Sequence, residues 1–428
     1  MTSLKETRLT DQRKTMRIMF LYMFPLWGNG SGAWLRALAS EMVKDGNEVA
    51  IVSPEHRTIP GIKHYLVTPP QMGVFVGNPE LPDMKKYEDM SGVELGKIYT
   101  SYVNATLAAV KDFQPNIVHA FHTAFLPPVA RIAKIMYGMR FVVTTHGSDL
   151  HYLARDRRLI GLIRDALNVS ALITANSAFT RKWFLDMFGH EYARKLRTVA
   201  GGVYLNEYVH NHEICKLIDE KYGLKGKKVV LFTGRLTPQK GVDYLIKAAR
   251  QIKGEVLILG DGPERANLQK LIDSYKLTNC RILGYMSPKD QINFKAFYGR
   301  ADVYVAPSTW KEPLGLVILE AMAAKTPVVS TRAGGIMSLV KDGYNGYLVR
   351  MRNASEIAQR VNELLLNDEL CQKMGERSYD LVVKKFTWDR IADQFEAIYK
   401  KNASSAHEYL RLVKAAVKPS NVPQASKT

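Results

Sequence analysis

Short runs of consecutive apolar residues alternate along this chain with longer stretches whose apolar positions return every three or four residues. Residues 17–23 (RIMFLYM) predict a strand buried on both faces. A loop, PLWGNGSG, follows. Trp34, Leu35, Leu38 and Met42 then mark a helix over 33–44, which Asp45-Gly46-Asn47 closes before a second strand at 48–52. Strand, loop, helix, strand is the repeating unit of a parallel sheet.

The unit recurs. Residues 117–118 and 141–145 (FVVTT) predict strands with a helix over 129–137 between them, and 172–175 and 198–200 end this half. A second series opens at 228–232 (KVVLF) and continues with a helix over 242–252, then a strand at 255–259 (EVLIL). Helix 264–275, strand 280–283, helix 289–298 and strand 303–305 (VYV) follow, then a helix around 314–324 and a strand at 328–330. Two doubly wound α/β halves joined near 205–216 result. A helix over 389–400 and a thinner one over 407–417 precede a Pro- and Ser-bearing tail, read as disordered.

The 428 residues exceed one ordinary core and suit two domains. A formal net charge of +19 points to an anionic partner or to plain solubility. The excess is spread, 25 Lys+Arg against 17 Asp+Glu in residues 1–200 and 35 against 24 after them, with no dense basic tract of the kind a nucleic-acid-binding arm carries. Three distant cysteines (Cys215, Cys280, Cys371) form neither a disulfide framework nor a zinc motif and fit a reducing, cytoplasmic setting. A polar N-terminal stretch and no apolar run of membrane-spanning length leave peripheral contact with an anionic membrane as the only membrane role expected.

In open α/β sheets ligands sit beyond the carboxyl ends of the strands, and each motif with chemistry falls at such an end. In PLWGNGSGA, Gly28, Gly30 and Ala33 fit G-x-G-x-x-G/A, whose glycines let backbone approach a phosphate at a helix N-terminus. The three residues Pro25, Leu26 and Trp27 stand it further from the strand than a dinucleotide fingerprint. TGRLTPQKG places Arg235 and Lys240 on one turn, a planar fork and a mobile ammonium suited to a diphosphate. KEPLGLVILEAMAAK carries Glu312 and Glu320 eight residues apart. With Pro313 in the first helical turn, the two would lie ~12 Å apart along the helix and about 80° apart around it. That is too far for a carboxylate pair and right for two contacts on an extended polar ligand. Glu320, flanked by Leu319, Ala321 and Met322, needs partners such as a vicinal diol, or else an internal ion pair. His119 and His122 (VHAFHTAF), and His146 with Asp149 and His151 (TTHGSDLH), cluster at two strand ends as hydrogen-bond or proton-transfer groups. Their spacings also invite a metal, but no three ligands stand at a recognised spacing.

Taken together these stretches resemble the retaining glycosyltransferases of the GT-B fold, family 4. GRLTPQKGVDYLIKA, ILGDGPERANL, APSTWKEPLGLVILEAMAAKTPVVSTRAGG and DGYNGYLV match the family's donor-domain motifs in order and spacing. The resemblance implies two Rossmann-like domains with a cleft between them. Residues 1–205 would bind the acceptor and 206–387 the nucleotide-sugar donor, with 388–428 crossing back to complete the first. It implies a hexosyl transfer from a nucleotide-diphosphate sugar, a UDP-sugar for instance, to an acceptor hydroxyl, with no cofactor and no metal. Gly234, Arg235 and Lys240 would hold the diphosphate, Glu320 the ribose and Glu312 the transferred sugar. Backbone amides of Leu314, Gly315 and Leu316 would assist, Gly262, Tyr285 and Met286 would border the base, and Gly30 and Ser31 would close from the other half. His122 is the first choice for the sugar and acceptor side, with His119, His146 and Asp149 beside it. Leu314 stands where the family commonly has Phe, and Gly201-Gly202-Val203-Tyr204 replaces its usual Asn-Gly-Val-Asp. Trp27 and Trp34 near the cleft suit a lipid-linked acceptor as well as a soluble one. Two other classes compete: a dinucleotide-dependent oxidoreductase using PLWGNGSGA with Glu55 on the ribose, and a non-catalytic glycan- or membrane-binding protein of the same fold.

Overall fold

The computed structural model of the chain describes residues 15–75, 84–286 and 291–403; the helix expected over 407–417, the tail, and the start of the helix expected over 289–298 lie outside them. The first half runs β1 (Arg17–Leu21), α1 (Gly30–Lys44), β2 (Glu48–Ser53), β3 (Ile62–Leu66), α2 (Gly92–Phe113), β4 (Ile117–Phe121), α3 (Leu126–Tyr137) and β5 (Phe141–Thr145). It continues with α4 (Ser148–Leu153), α5 (Ile160–Val169), β6 (Leu172–Ala175), α6 (Ala178–Phe188) and β7 (Leu196–Thr198). The second half runs α7 (His212–Tyr222), β8 (Val229–Thr233), α8 (Val242–Ala249), β9 (Glu255–Leu259), α9 (Arg265–Ser274), β10 (Cys280–Gly284), α10 (Gln291–Arg300) and β11 (Val303–Ala306). Then come α11 (Leu316–Ala323), β12 (Val328–Thr331), β13 (Gly346–Val349), α12 (Ala354–Leu365), α13 (Asp368–Lys385) and α14 (Trp388–Asn402).

Two parallel sheets result, ordered β3-β2-β1-β4-β5-β6-β7 and β10-β9-β8-β11-β12-β13. The unbroken apolar runs are buried on both faces because helices cover both sides of each sheet. Strand order reverses once per sheet, between β1 and β4 and between β8 and β11. At such a switch point adjacent connections leave in opposite directions and open a crevice beyond the strand ends.

Several elements lay outside the sequence-based expectation. The longest helix among the described residues, α2, is closed at its start by Ser91 and Glu94, each side chain bonding the other's backbone N–H. β3 and β13 are sheet edges, too short and too mixed in pattern to stand out. The chain crosses between the halves earlier than the expected 205–216 joint. Val203 N–H donates to Phe386 O at 2.8 Å and Val203 bridges Thr387, so the outward and return crossings lie side by side.

After the return crossing α14 packs on the first half. Trp388, Ile391, Ala392, Phe395 and Tyr399 are buried with Ile18, Phe20, Trp34 and Leu35. The Trp34 ring meets Phe395 edge-on at 5.3 Å and Trp388 at 5.6 Å. The Tyr399 hydroxyl lies 2.7 Å from His119 Nδ1, while His119 Nε2 lies 2.6 Å from Thr144 Oγ1. Phe395→Ala should therefore cost about 3–5 kcal/mol of stability. Urea unfolding of the full chain, followed by tryptophan fluorescence, checks this, since Trp34 and Trp388 flank the cavity it leaves.

Candidate functional site

In the first half the crevice lies between β1 and β4. The loop after β1 ends at Asn29, whose Oδ1 accepts from Gly32 N at 2.7 Å and caps α1. The Tyr22 hydroxyl donates to Asn29 Oδ1 at 2.6 Å and lies 2.8 Å from Ser31 Oγ. Ser31 Oγ lies 3.2 Å from His122 Nε2, tying the two sides of the crevice together. Gly30 is exposed at the first turn of α1. Gly28 takes a left-handed conformation (φ +81°) that favours glycine, and at Gly32, between the fingerprint positions, a Cβ would fall 2.3 Å from the Leu26 carbonyl oxygen. Glu55, the ribose ligand of the oxidoreductase reading, is turned the other way. Its Oε2 accepts from Leu26 N at 3.1 Å and its Oε1 from Arg57 N at 2.9 Å, so its carboxylate anchors the loop. Trp27 is flanked by the guanidinium groups of Arg36, at 4.7 Å, and Arg57, at 5.1 Å. Trp34 is buried beneath α14 and presents no surface to a lipid.

His122 directly follows β4 in a left-handed backbone conformation (φ +70°) that is uncommon for a residue with a side chain and gathers at functional sites. Its ring lies 4.9 Å from that of His146, which follows β5. Both are buried, and His122 Nδ1 and His146 Nε2 have no partner among the described residues. An unpaired buried nitrogen is costly, which marks both rings as places for a ligand group. Burial pushes His122 down to about 4 against the pull of the Asp149 carboxylate, and holds His146 well below its ordinary range, with the neighbouring imidazoles adding to the effect. Both are therefore neutral near pH 7 and act as hydrogen-bonding groups there.

Two expected residues are placed elsewhere. His119 lies inside β4, because the strand extends to Phe121. With side chains alternating along a strand, the ring of His119 points into the core against Phe395 and Tyr399. Asp149 is buried and saturated. Its oxygens accept from Thr123 N (2.6 Å), Thr145 Oγ1 (3.0 Å), His146 N (3.1 Å) and Gly147 N (2.7 Å). It knits the ends of β4 and β5 and so holds His122 and His146 in register, leaving no lone pair for an acceptor.

In the second half the crevice lies between β8 and β11. Gly234 and Arg235 follow β8, and Lys240 ends a single 3-10 turn, Pro238–Lys240. Across the crevice Lys240 Nζ donates to Glu312 Oε1 at 2.6 Å, and Ser308 Oγ donates to the same oxygen at 2.8 Å. Burial alone would push the Glu312 carboxyl up, yet the Lys240 ammonium and the surrounding hydrogen bonds bring it below its ordinary value. The helix begins at Leu316, not at Pro313, with Gly315 (φ +95°) as its cap. Glu312 thus belongs to a loop and Glu320 alone is helical, so the spacing expected from a common helix does not apply. Glu320 is half-buried; Tyr298 OH donates to its Oε2 at 2.5 Å. Burial raises its carboxyl, and the bonds from Tyr298 and Tyr208 oppose that rise. Gly262 follows β9 and Tyr285 and Met286 follow β10, at the same end of the parallel sheet. Tyr285 is 59% exposed, whereas Leu314 is buried beside α11.

The two crevices face each other and touch. A Cβ on Gly147 would fall 2.5 Å from Pro313 Cγ, and one on Gly30 would lie 3.8 Å from Leu316 Cδ1. Ser177 Oγ, just after β6, donates to the Pro313 carbonyl, and Thr180 Oγ1 reaches the same oxygen at 3.4 Å. The site therefore brings His122, His146, Gly30 and Ser31 to one wall and Arg235, Lys240, Glu312, Gly315, Leu316 and Glu320 to the other. Among the described residues no three His, Cys, Asp or Glu side chains gather as a metal-binding set, and no helix is long and apolar enough to cross a membrane.

Comparison with known proteins places this geometry. Residues 28–207 match the model of Glycosyltransferase Family 4 and residues 216–381 that of Glycosyl transferases group 1. The chain belongs to the GT-B glycosyltransferases of the family 4 type. It is 27% identical over 386 residues to N-acetyl-alpha-D-glucosaminyl L-malate synthase of Bacillus anthracis, covering 86% of this chain and 93% of that one. It is 29% identical over 280 residues to a GDP-mannose-dependent alpha-(1-6)-phosphatidylinositol monomannoside mannosyltransferase of Mycolicibacterium smegmatis, covering 62% and 70%. In fold it is similar to HepE of Anabaena, solved with UDP and glucose (TM-score 0.70, 20% identity, 90% and 100% covered). It is also similar to a sucrose-phosphate synthase of Thermosynechococcus elongatus (TM-score 0.75, 19% identity, 90% and 98% covered).

Around this glycosyltransferase's cleft the structure adds residues the motifs had not singled out: Tyr22 and Asn29 beneath Ser31, Ser177 on the Pro313 carbonyl, Ser308 on Glu312, and Tyr298 on Glu320. Only Asn29 and Ser177 carried a local signal, as helix caps. Tyr22 and Tyr298 sit in runs that read as core, and Ser308 in a loop where nothing sets it apart from its polar neighbours.

The Lys240–Glu312 contact also sets a pH dependence. A carboxyl held low in the folded state contributes stability above its unfolded value, near 4.5, and loses it as pH falls through the folded value. Thermal unfolding of the glycosyltransferase should therefore fall off below about pH 4.5 more steeply than that of Glu312→Gln. Parallel curves for the two proteins would contradict the charged pairing.

Proposed function

We propose that this glycosyltransferase moves a hexosyl unit from a nucleotide-diphosphate sugar to an acceptor hydroxyl, retaining the anomeric configuration and needing no metal ion. The observation that carries the reading is the Lys240–Glu312 contact of 2.6 Å across the β8/β11 crevice, with Glu320 anchored behind it. A cation and an acid held side by side suit a donor whose phosphate and sugar are adjacent. Arg235 and Lys240 take the diphosphate, and Lys240 offsets the charge that grows on the departing nucleotide. Glu312 accepts from sugar hydroxyls and Glu320 from the ribose, each as an ionised carboxylate able to take two donors. Backbone N–H groups of Leu314, Gly315 and Leu316 assist the phosphates, Gly262, Tyr285 and Met286 border the base, and Gly30 and Ser31 approach from the facing wall.

On that wall the neutral rings of His122 and His146 hydrogen-bond the transferred sugar or the incoming hydroxyl. The complexes of HepE with UDP and UDP-glucose support a UDP-sugar donor. The acceptors named for the two relatives, L-malate and a phosphatidylinositol mannoside, are anionic. The net charge of +19 suits such an acceptor and a peripheral position on the inner face of a membrane.

Lys240→Ala and Glu320→Ala should each remove at least ~2 kcal/mol of transition-state stabilisation, roughly a thirtyfold loss in kcat/KM. Steady-state transfer from UDP-sugars checks this, and wild-type turnover in either variant would overturn the assignment. Activity should survive exhaustive chelation. Its loss, with rescue by one divalent ion, would end the metal-free reading. The anomeric proton coupling of the first product formed decides retention.

A further inference from the structure

We propose that Tyr298 is a positioning residue for donor recognition: it locks one oxygen of Glu320 so that the other faces the ribose, and it links that acid to the root of the diphosphate loop through Thr233. The proposal rests on the reading of Glu320 as the ribose ligand.

Packing does not need the Tyr298 hydroxyl. The Tyr298 ring is fully buried on α10 among Phe294, Tyr304 and Tyr208, at centroid distances of 5.9, 5.5 and 5.6 Å. A phenylalanine would fill that space. A phenol placed there has to satisfy its oxygen and proton internally. Both are satisfied in one direction. Tyr298 OH donates to Glu320 Oε2 at 2.5 Å, and with that proton committed, the Thr233 hydroxyl at 2.6 Å donates to the phenol oxygen. The Tyr304 hydroxyl completes the group, 3.1 Å from Thr233 Oγ1 and 3.2 Å from the Thr233 carbonyl.

The chain of bonds therefore runs from Thr233 through Tyr298 to the carboxylate. Thr233 is the last residue of β8, immediately before Gly234 and Arg235. Tyr208 reaches the same carboxylate from the side, beside the 2.8 Å ion pair of Lys295 with Glu207. A carboxylate fixed at one oxygen cannot rotate to meet a badly placed diol. A ligand with both ribose hydroxyls keeps the full benefit of that fixation, and one lacking a hydroxyl forfeits it.

The test is calorimetric titration of the full chain and of Tyr298→Phe with UDP, 2′-deoxy-UDP and 3′-deoxy-UDP. The wild type should prefer UDP over at least one deoxy analogue by roughly tenfold, the scale of one hydrogen bond to a charged group. In Tyr298→Phe the affinity for UDP should fall by about the same factor and the preference should shrink to under about twofold, with the deoxy analogues little affected. A merely structural role would weaken all three ligands alike, so a preserved preference in the variant overturns the proposal while leaving the ribose assignment intact. The same titrations are run with GDP and its 2′- and 3′-deoxy analogues, which carry the same ribose; a wild type that binds UDP or GDP without preference, or binds neither, overturns the ribose assignment and the proposal together. Should Tyr298→Phe fail to fold, Thr233→Val replaces it. That variant keeps the tyrosine's own donor but removes the one behind it, and should cut the preference about threefold. An unchanged preference in it counts against the link.

Discussion

In each sheet the winding reverses once, and everything functional follows from that. Were the connections to continue in one direction, helices would cover the strand ends and no crevice would open. The reversal at β1/β4 and at β8/β11 leaves two gaps at the carboxyl ends of parallel strands. Each gap is spanned by polar contacts between loops distant in sequence: Ser31 with His122 in the first half, Lys240 with Glu312 and Thr309 with Pro238 and Gln239 in the second. The halves then meet gap to gap, with Pro313 against Gly147 and Ser177. Strand order, not the glycine content of any one loop, decides where the chemistry gathers.

The two walls differ in their electrostatics. The wall of the second half holds formal charges that neutralise each other at close range, Lys240 on Glu312. The facing wall holds neutral imidazoles kept unprotonated by burial. A transferring sugar would thus travel from a polarised surface to an uncharged one, an arrangement that favours leaving-group departure on one side without trapping the product by charge on the other.

Much of this was legible in the chain. Unbroken apolar strands and glycine-punctuated turns announce a parallel α/β protein, and the run from Gly234 to Lys240 and the two glutamates mark the β8/β11 crevice. The first half was harder to read. His119 and His122 look alike in sequence, and only the length of β4 decides that one faces the core and the other the cleft. Asp149 looks like a group for the sugar or acceptor until its four donors are found. Tyr298 looks like ordinary core, because an aromatic side chain's packing is written in its spacing while the partners of its polar atom are not. Glu55 was assigned by its position near a strand end, yet tertiary contact with Leu26 and Arg57 claimed it.

The paired crossings at Val203 and Thr387 have one more consequence. Two stretches of chain joined by a backbone hydrogen bond leave and re-enter the second half side by side, so its two covalent connections to the first half share one place. A change at Val203 or Thr387 is thereby felt by both connections at once.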